Sequence, residues 1–355
     1  MNIAGLGIVF NRGRGVASLE RALEEGWRPP VSLDLKGVPG LKAAAYPVAP
    51  ETLDDKAVLA KARRADRFTR MALLSAFDAW TCSRLGQDVA PSRVGVILAT
   101  ALGPHVTTFG FLDGILDFGD AAVSPTAFSH SVHNAAASYI AMTLGLRGPT
   151  LTVTDFHFAF HEAARLANLW LDERRCDAVL VGTVDELGHV MQAACARLLA
   201  APEDGRIKPF AFAREAVSIP GEGSVFFAFA REPPPDSFGA LHVAAPGAAP
   251  AAGLTHCLLE ADGLIGDESR YANLVAPGAK IGAYAPLFGS IMTGSAFHAA
   301  VAALMVKGQR EYACPVPADA PGVSAIAATK AAAVGAVASL RLNCAGALRS
   351  LVLSR

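Results

Sequence analysis

The sequence predicts an α/β protein built on a parallel or mixed sheet that is covered on both faces. Short, uniformly apolar runs such as 94–99 and 177–182 alternate with longer amphipathic segments, as expected of strands buried on two sides. The alternation recurs in the second half, so the halves read as two copies of one α/β plan. At 148–162 a β-branched run changes abruptly to helical periodicity, a strand–elbow–helix of the kind that presents a nucleophile over a helix N-terminus.

Taken in order, residues 3–10 form the first strand. Its Gly5-Leu6-Gly7 lacks the third glycine of a dinucleotide fingerprint and is not read as one. Residues 18–25 form a short helix, and 28–64 a loop punctuated by proline and glycine. A helix over 67–80 carries Phe68, Met71, Ala72, Ser75, Ala76 and Ala79 on one face. A buried strand at 94–99 precedes a helix over 107–118 with a stripe of Phe111, Ile115, Leu116 and Phe118. A further helix opens at 130–134 and runs to Leu144. Residues 151–153 read as a buried strand, and helix begins near His157.

The second half starts near Lys208. A Gly-Glu-Gly turn at 221–223 leads into a strand at 224–230. Strands at 241–245 and 257–260, an apolar helix at 291–306, and strands at 337–342 and 348–353 complete the chain.

With 52% hydrophobic and 18% charged residues, the 355-residue chain can build a large core. A net charge of −1 gives no electrostatic case for nucleic acid or an anionic membrane. Six cysteines form no Cys-x-x-Cys pair and read as free thiols of a cytoplasmic protein. The first residues lack a basic stretch, apolar run and cleavage site, so no signal peptide is expected. The longest uncharged stretch, 237–259, is broken by proline and glycine and predicts no membrane span.

An ordered series of motifs resembles the condensing enzymes of the thiolase fold, in particular β-ketoacyl synthases. It comprises Ile3-Ala4-Gly5-Leu6-Gly7, Arg64-Ala65-Asp66-Arg67-Phe68, Gly145-Leu146-Arg147-Gly148-Pro149 and Cys176-Asp177-Ala178-Val179-Leu180-Val181-Gly182. Pro209-Phe210, Pro220-Gly221-Glu222-Gly223, Asn343 and Gly346 follow. Residues 124–129 and 131–135 resemble a branch found with aryl polyene clusters. The resemblance implies one thiolase-like domain, a duplicated αβαβα core with two mixed sheets, in pseudo-repeats 1–200 and 201–355.

The same resemblance implies that the condensing chemistry is lost. The family's elbow cysteine falls on His157, its two histidines on Asp262 and Ser290, and its lysine on Ala285. Imidazole lacks the thiolate's combination of nucleophilicity and leaving ability. Asp262 would place negative charge where an enolate develops, and Ser290 is a weak donor; each such loss costs about 10²-fold or more. The connection at 246–255 is also shorter than the family's, where longer material shapes the substrate entrance.

What remains resembles a chain-length factor, a non-catalytic subunit that pairs with an active β-ketoacyl synthase and shapes its acyl tunnel. On this reading the strand 150–154, including Thr152, lies at the subunit axis. Phe109, Phe111, Leu112, Phe128 and His133 face the partner, and an acyl carrier protein is reached through the complex. Phe156, Phe158 and Phe160 would plug the vacated pocket. No cofactor is expected. The alternative for the four apolar tunnel residues is this chain's own core. Two other functions stay open: a metal-dependent hydrolase using Asp155, His157 and His161, with His157 and His161 four residues apart on a helix, and a homodimeric scaffold.

Overall fold

The computed structural model describes the chain except residues 36–41, 120, 122, 249–253, 275–277, 319 and 321. Half of the short connection expected at 246–255, residues 249–253, therefore falls outside the described residues. Strand β1 (Asn2–Phe10) makes a hairpin with β2 (Gly13–Arg14) and is followed by α1 (Val16–Glu25). The expected loop at 28–64 contains a small hairpin, β3 (Val31–Asp34) with β4 (Lys42–Ala45). Helix α2 (Arg67–Ser83) starts where Asp66 accepts the Thr69 N–H at 2.8 Å, the N-cap its Asp-Arg-Phe sequence favours.

Gly5 and Gly7 explain themselves here. A Cβ at either position would collide with the α2 backbone, at Ala79 and Ser75 respectively, so the two glycines let helix and strand touch. Next come β5 (Val94–Thr100), α3 (His105–Phe118), α4 (Pro125–Ser131) and α5 (Ala135–Leu144). The expected helix opening at 130–134 is thus the junction of two helices. Ser124 caps α4 and Pro125 occupies its first turn, a start signal overlooked in the sequence. Then follow β6 (Thr150–Thr154), α6 (Ala159–Asp172), β7 (Ala178–Asp185), α7 (His189–Leu198) and β8 (Gly223–Ala230).

The remainder comprises β9 (Ala240–Val243), β10 (His256–Leu259), β11 (Lys280–Gly282), α8 (Ala285–Phe288) and α9 (Ser295–Gly308). A two-stranded pair, β12 (Arg310–Glu311) with β13 (Lys330–Ala331), precedes β14 (Ala336–Leu342) and β15 (Leu348–Ser354). The helix expected from residue 291 begins at Ser295, because 285–288 form their own short turn.

The strand order carries the architecture. In the first set it is β1-β8-β7-β5-β6, and in the second β9-β15-β14-β10-β11. The pairings also match in direction, antiparallel twice and then parallel twice, in each set. The two expected sheets meet edge to edge through one pairing, Asn2 with Ala240, and so form one eleven-stranded mixed sheet. We propose that the chain is a duplicated unit. On this reading β8, although it follows the expected division at 200/201, completes the first set.

Helices α6 and α9 lie between the two sets of strands. α6 touches β5 and β7 on one side and β15 and β9 on the other; α9 touches β14, β15 and β8. α9 is accordingly apolar all round, with residues 295–306 buried. α2 and α5 cover the outer face of the first set, and a cluster around Phe210, Tyr271, Ile281 and Leu340 covers that of the second. β6 departs from expectation. It is the end strand of the sheet and is largely exposed. A β-branched run reads the same whether its second face is covered by its own chain or by another.

Candidate functional site

The elbow between β6 and α6 is built by Asp155. Its Oδ1 accepts the backbone N–H groups of His157 at 2.7 Å and Phe158 at 2.6 Å, fixing the turn before α6 begins at Ala159. His157 is half-buried, and its Nε2 lies 3.2 Å from the Sγ of Cys344, an exposed residue in the turn between β14 and β15. Burial, then the positive charge of Arg341, lowers the His157 pKa against the pull of Asp155 and Asp262.

Around the elbow the structure assembles residues that lie about a hundred or more positions further along the chain. Asp262, just after β10, is buried and pairs with Nη1 of Arg341 at 2.7 Å. Arg341 is itself only 1% exposed. Its Nη1 also donates to the Glu260 carbonyl at 3.3 Å. Burial alone would lower the guanidinium pKa, but Asp262, Tyr271 and Glu260 outweigh it, so it is raised. The Glu260 carboxylate is satisfied by Ser295 Oγ at 2.5 Å and Ser339 Oγ at 2.7 Å. Burial, with Asp262 nearby, pushes the Glu268 carboxyl up to about 8.

Ser290 is buried in the same group. Its Oγ donates to the Asp262 carbonyl at 2.5 Å and accepts the Ile219 N–H at 3.0 Å. Both roles of the hydroxyl are thereby used within the chain. Ala285 opens α8, fully buried and without a polar side chain. Ser290 also lines a cavity of about 50 Å³ with Leu102, Asp185, Glu186, Met191 and Cys195.

Asp262 is thus near enough to act on the charge of His157, and Ser290 is bonded to the Asp262 backbone. Arg341 and Cys344 were missed in the sequence. The available signal was a lone arginine in the apolar run Ala338-Ser339-Leu340-Arg341-Leu342, where a buried charge requires a partner. The aromatic plug is corrected in part. Phe160 is buried against Phe227 at 5.4 Å and Phe158 is buried beneath Arg349, but Phe156 is 58% exposed and fills nothing in this chain.

The metal-hydrolase alternative finds no support. Among the described residues no group of three or more His, Cys, Asp and Glu is placed to hold a metal ion. His161 is buried against the edge of Phe158, and its pKa falls to about 4, chiefly through burial.

Of the residues assigned to a partner surface, Phe109, Phe111 and Leu112 lie on α3, Phe128 on α4, His133 between α4 and α5, and Thr152 on β6. Phe109 and Phe111 are half-buried, Leu112 and His133 exposed, Phe128 58% exposed, and Thr152 half-buried on β6. Phe111 packs on Phe128 at 5.7 Å, and His133 lies against Gly103. None of the four apolar candidates belongs to the buried clusters of this chain's core. Leu116 and Phe118, part of the helical stripe expected at 107–118, are 82% and 75% exposed. No helix among the described residues is long and apolar enough to cross a membrane.

Residues 2–232 match the family described as "Beta-ketoacyl synthase, N-terminal domain". Nodulation protein E of Rhizobium meliloti (strain 1021) is 26% identical over 228 residues, 62% of this chain and 55% of that protein. The chain thus spans little more than half the length of this relative. Among solved structures, the ishigamide ketosynthase/chain length factor aligns with a TM-score of 0.80 at 17% identity, over 99% of this chain and 98% of that one. The ketosynthase (ApeO) in complex with its chain length factor (ApeC) from Xenorhabdus doucetiae aligns at 0.75 and 15% identity, over 99% and 97%. The structural likeness extends the thiolase-like fold over the whole chain, and the motif match places it: this chain belongs to the β-ketoacyl synthase family.

Proposed function

We propose that this chain is a non-condensing member of the family that pairs with an active β-ketoacyl synthase, in the manner of a chain-length factor. The observation that carries this is the Asp262–Arg341 ion pair buried beside an elbow that bears His157. A condensing site needs a thiolate and neutral or cationic donors aimed at a developing enolate. Here a carboxylate occupies one donor position, tied to its own arginine, and the Ser290 hydroxyl is committed to the chain's backbone.

The exposed face supports the pairing. β6 leaves one strand edge uncovered among the described residues, Leu151 and Phe156 expose apolar surface on and just after it, and Leu116, Phe118 and Phe128 do so on α3 and α4. Soluble proteins rarely leave such an edge and such a patch open. An active synthase seated there would meet Phe109, Phe111, Leu112 and Phe128 beside its acyl tunnel, and an acyl carrier protein would dock through the complex. A polyene-type system fits the resemblance of residues 124–135.

The test is co-expression with a β-ketoacyl synthase encoded beside this chain. A stable 1:1 complex whose product length depends on this subunit is the expected result. A homodimer that does not exchange with the synthase would overturn the reading in favour of a stand-alone scaffold.

A further inference from the structure

We propose that Cys344 and His157 form a displaced thiol–imidazole dyad that accepts an acyl group from an acyl thioester. Their Sγ and Nε2 atoms lie 3.2 Å apart, within hydrogen-bond reach, although the residues are separated by 187 positions in sequence. The thiol absent from the elbow is thus returned to it from another loop, with the imidazole already in place.

Both partners are held. Asp155 fixes the backbone of His157 and of Phe158. The Cys344 turn is closed by Asn343, whose Oδ1 and carbonyl accept the N–H groups of Ala347 and Gly346 at 2.8 Å each. Gly346 adopts φ 82°, a left-handed conformation that favours glycine, with the Arg270 guanidinium against it. Cys344 is exposed, so a substrate can reach it.

Two further groups point to a polar ligand at this place. Arg341 is close enough to act on the charge of His157, yet its Nε and Nη2 have no partner among the described residues although they are buried. His161, one helical turn beyond His157 and 1% exposed, also leaves both ring nitrogens without a partner among them. Buried donors of this kind are satisfied in most proteins.

The step balances without an oxidant or reductant. His157 Nε2 takes the Cys344 proton, and the thiolate attacks the thioester carbonyl carbon. The tetrahedral intermediate collapses by breaking the incoming carbon–sulfur bond, and the departing thiolate takes the proton back from His157. The products are S-acyl-Cys344 and a free thiol. No carbon–carbon bond forms, so the step is compatible with the subunit proposed above but does not depend on it.

The chain contains its own control. Cys82 is also exposed but has no hydrogen-bonded histidine among the described residues. The purified chain should be treated with S-acetyl-N-acetylcysteamine and, separately, with iodoacetamide, and each cysteine followed by peptide mass. The expected result is an acetyl group on Cys344, with alkylation at least about tenfold faster than at Cys82. His157→Ala should remove that advantage and leave the Cys82 rate unchanged, while continued protection of the buried Cys176 and Cys257 reports that the variant is folded. Equal rates at the two cysteines, or a Cys344 rate untouched by His157→Ala, would overturn the dyad. Complex formation with a synthase is read separately, so failure of one proposal is distinguishable from failure of the other.

Discussion

On the proposed reading, His157 carries an imidazole where a condensing member of this family needs a thiolate, and Asp262 and Ser290 stand where it needs its donors. Restoring the nucleophile alone is therefore insufficient. His157→Cys should yield no ketoacyl product from acyl and malonyl thioesters, because Asp262 and Ser290 still occupy the donor positions; condensation by that single variant would show the site assignment to be wrong. The Asp262–Arg341 pair should matter more for folding than for chemistry. Arg341→Met leaves Asp262 buried without its partner and should destabilise the chain by about 3–5 kcal/mol in denaturant unfolding. Adding Asp262→Leu should recover much of that loss, since an ion pair exchanged for apolar residues of similar volume is often near neutral. A double variant as unstable as the single one would mean that Arg341 acts through other partners.

At the scale of elements, α3, α4 and β6 carry exposed apolar side chains, whereas α6 and α9 are enclosed between the two sets of strands. Replacing Leu116 and Phe118 by serine should leave thermal stability nearly unchanged, as surface substitutions usually do, and weaken association with the synthase measured by gel filtration or calorimetry. Changing the bulk of Phe109, Phe111 or Phe128 should shift the length of the partner's product, read by mass spectrometry. Unchanged products across all three would remove these residues from the tunnel wall. The periodicity of α3 was legible in the sequence, but the direction of its apolar stripe was not. Leu116 and Phe118 would look the same whether they faced this core or another subunit.

For the whole molecule, buried carboxyls make stability depend on pH. Burial raises Glu186 and Glu268 to about 8 each, from an ordinary value of 4.5. Such groups hold their protons more tightly in the folded state. Their contribution is complete below pH 4.5 and is lost as the pH rises through about 8. Melting temperature should therefore decline across that window, and Glu268→Gln or Glu186→Gln should flatten the decline. An unchanged slope in both variants would show that these carboxyls ionise normally.

The division between sequence and tertiary structure follows from how each is written. Alternating apolar strands and helices, and the motif series from Ile3 to Gly346, were enough to indicate the fold, because strand burial and helix periodicity are local patterns. The same local view could not place Arg341 against Asp262 or Cys344 against His157. Those contacts join positions 79 and 187 residues apart: the parallel pairing of β10 with β14 brings Asp262 to Arg341, and the packing of the second set of strands against α6 brings Cys344 to His157. Nor could it say which apolar residues lie inside. The elbow was visible in the chain from the start, and what surrounds it was decided by the packing.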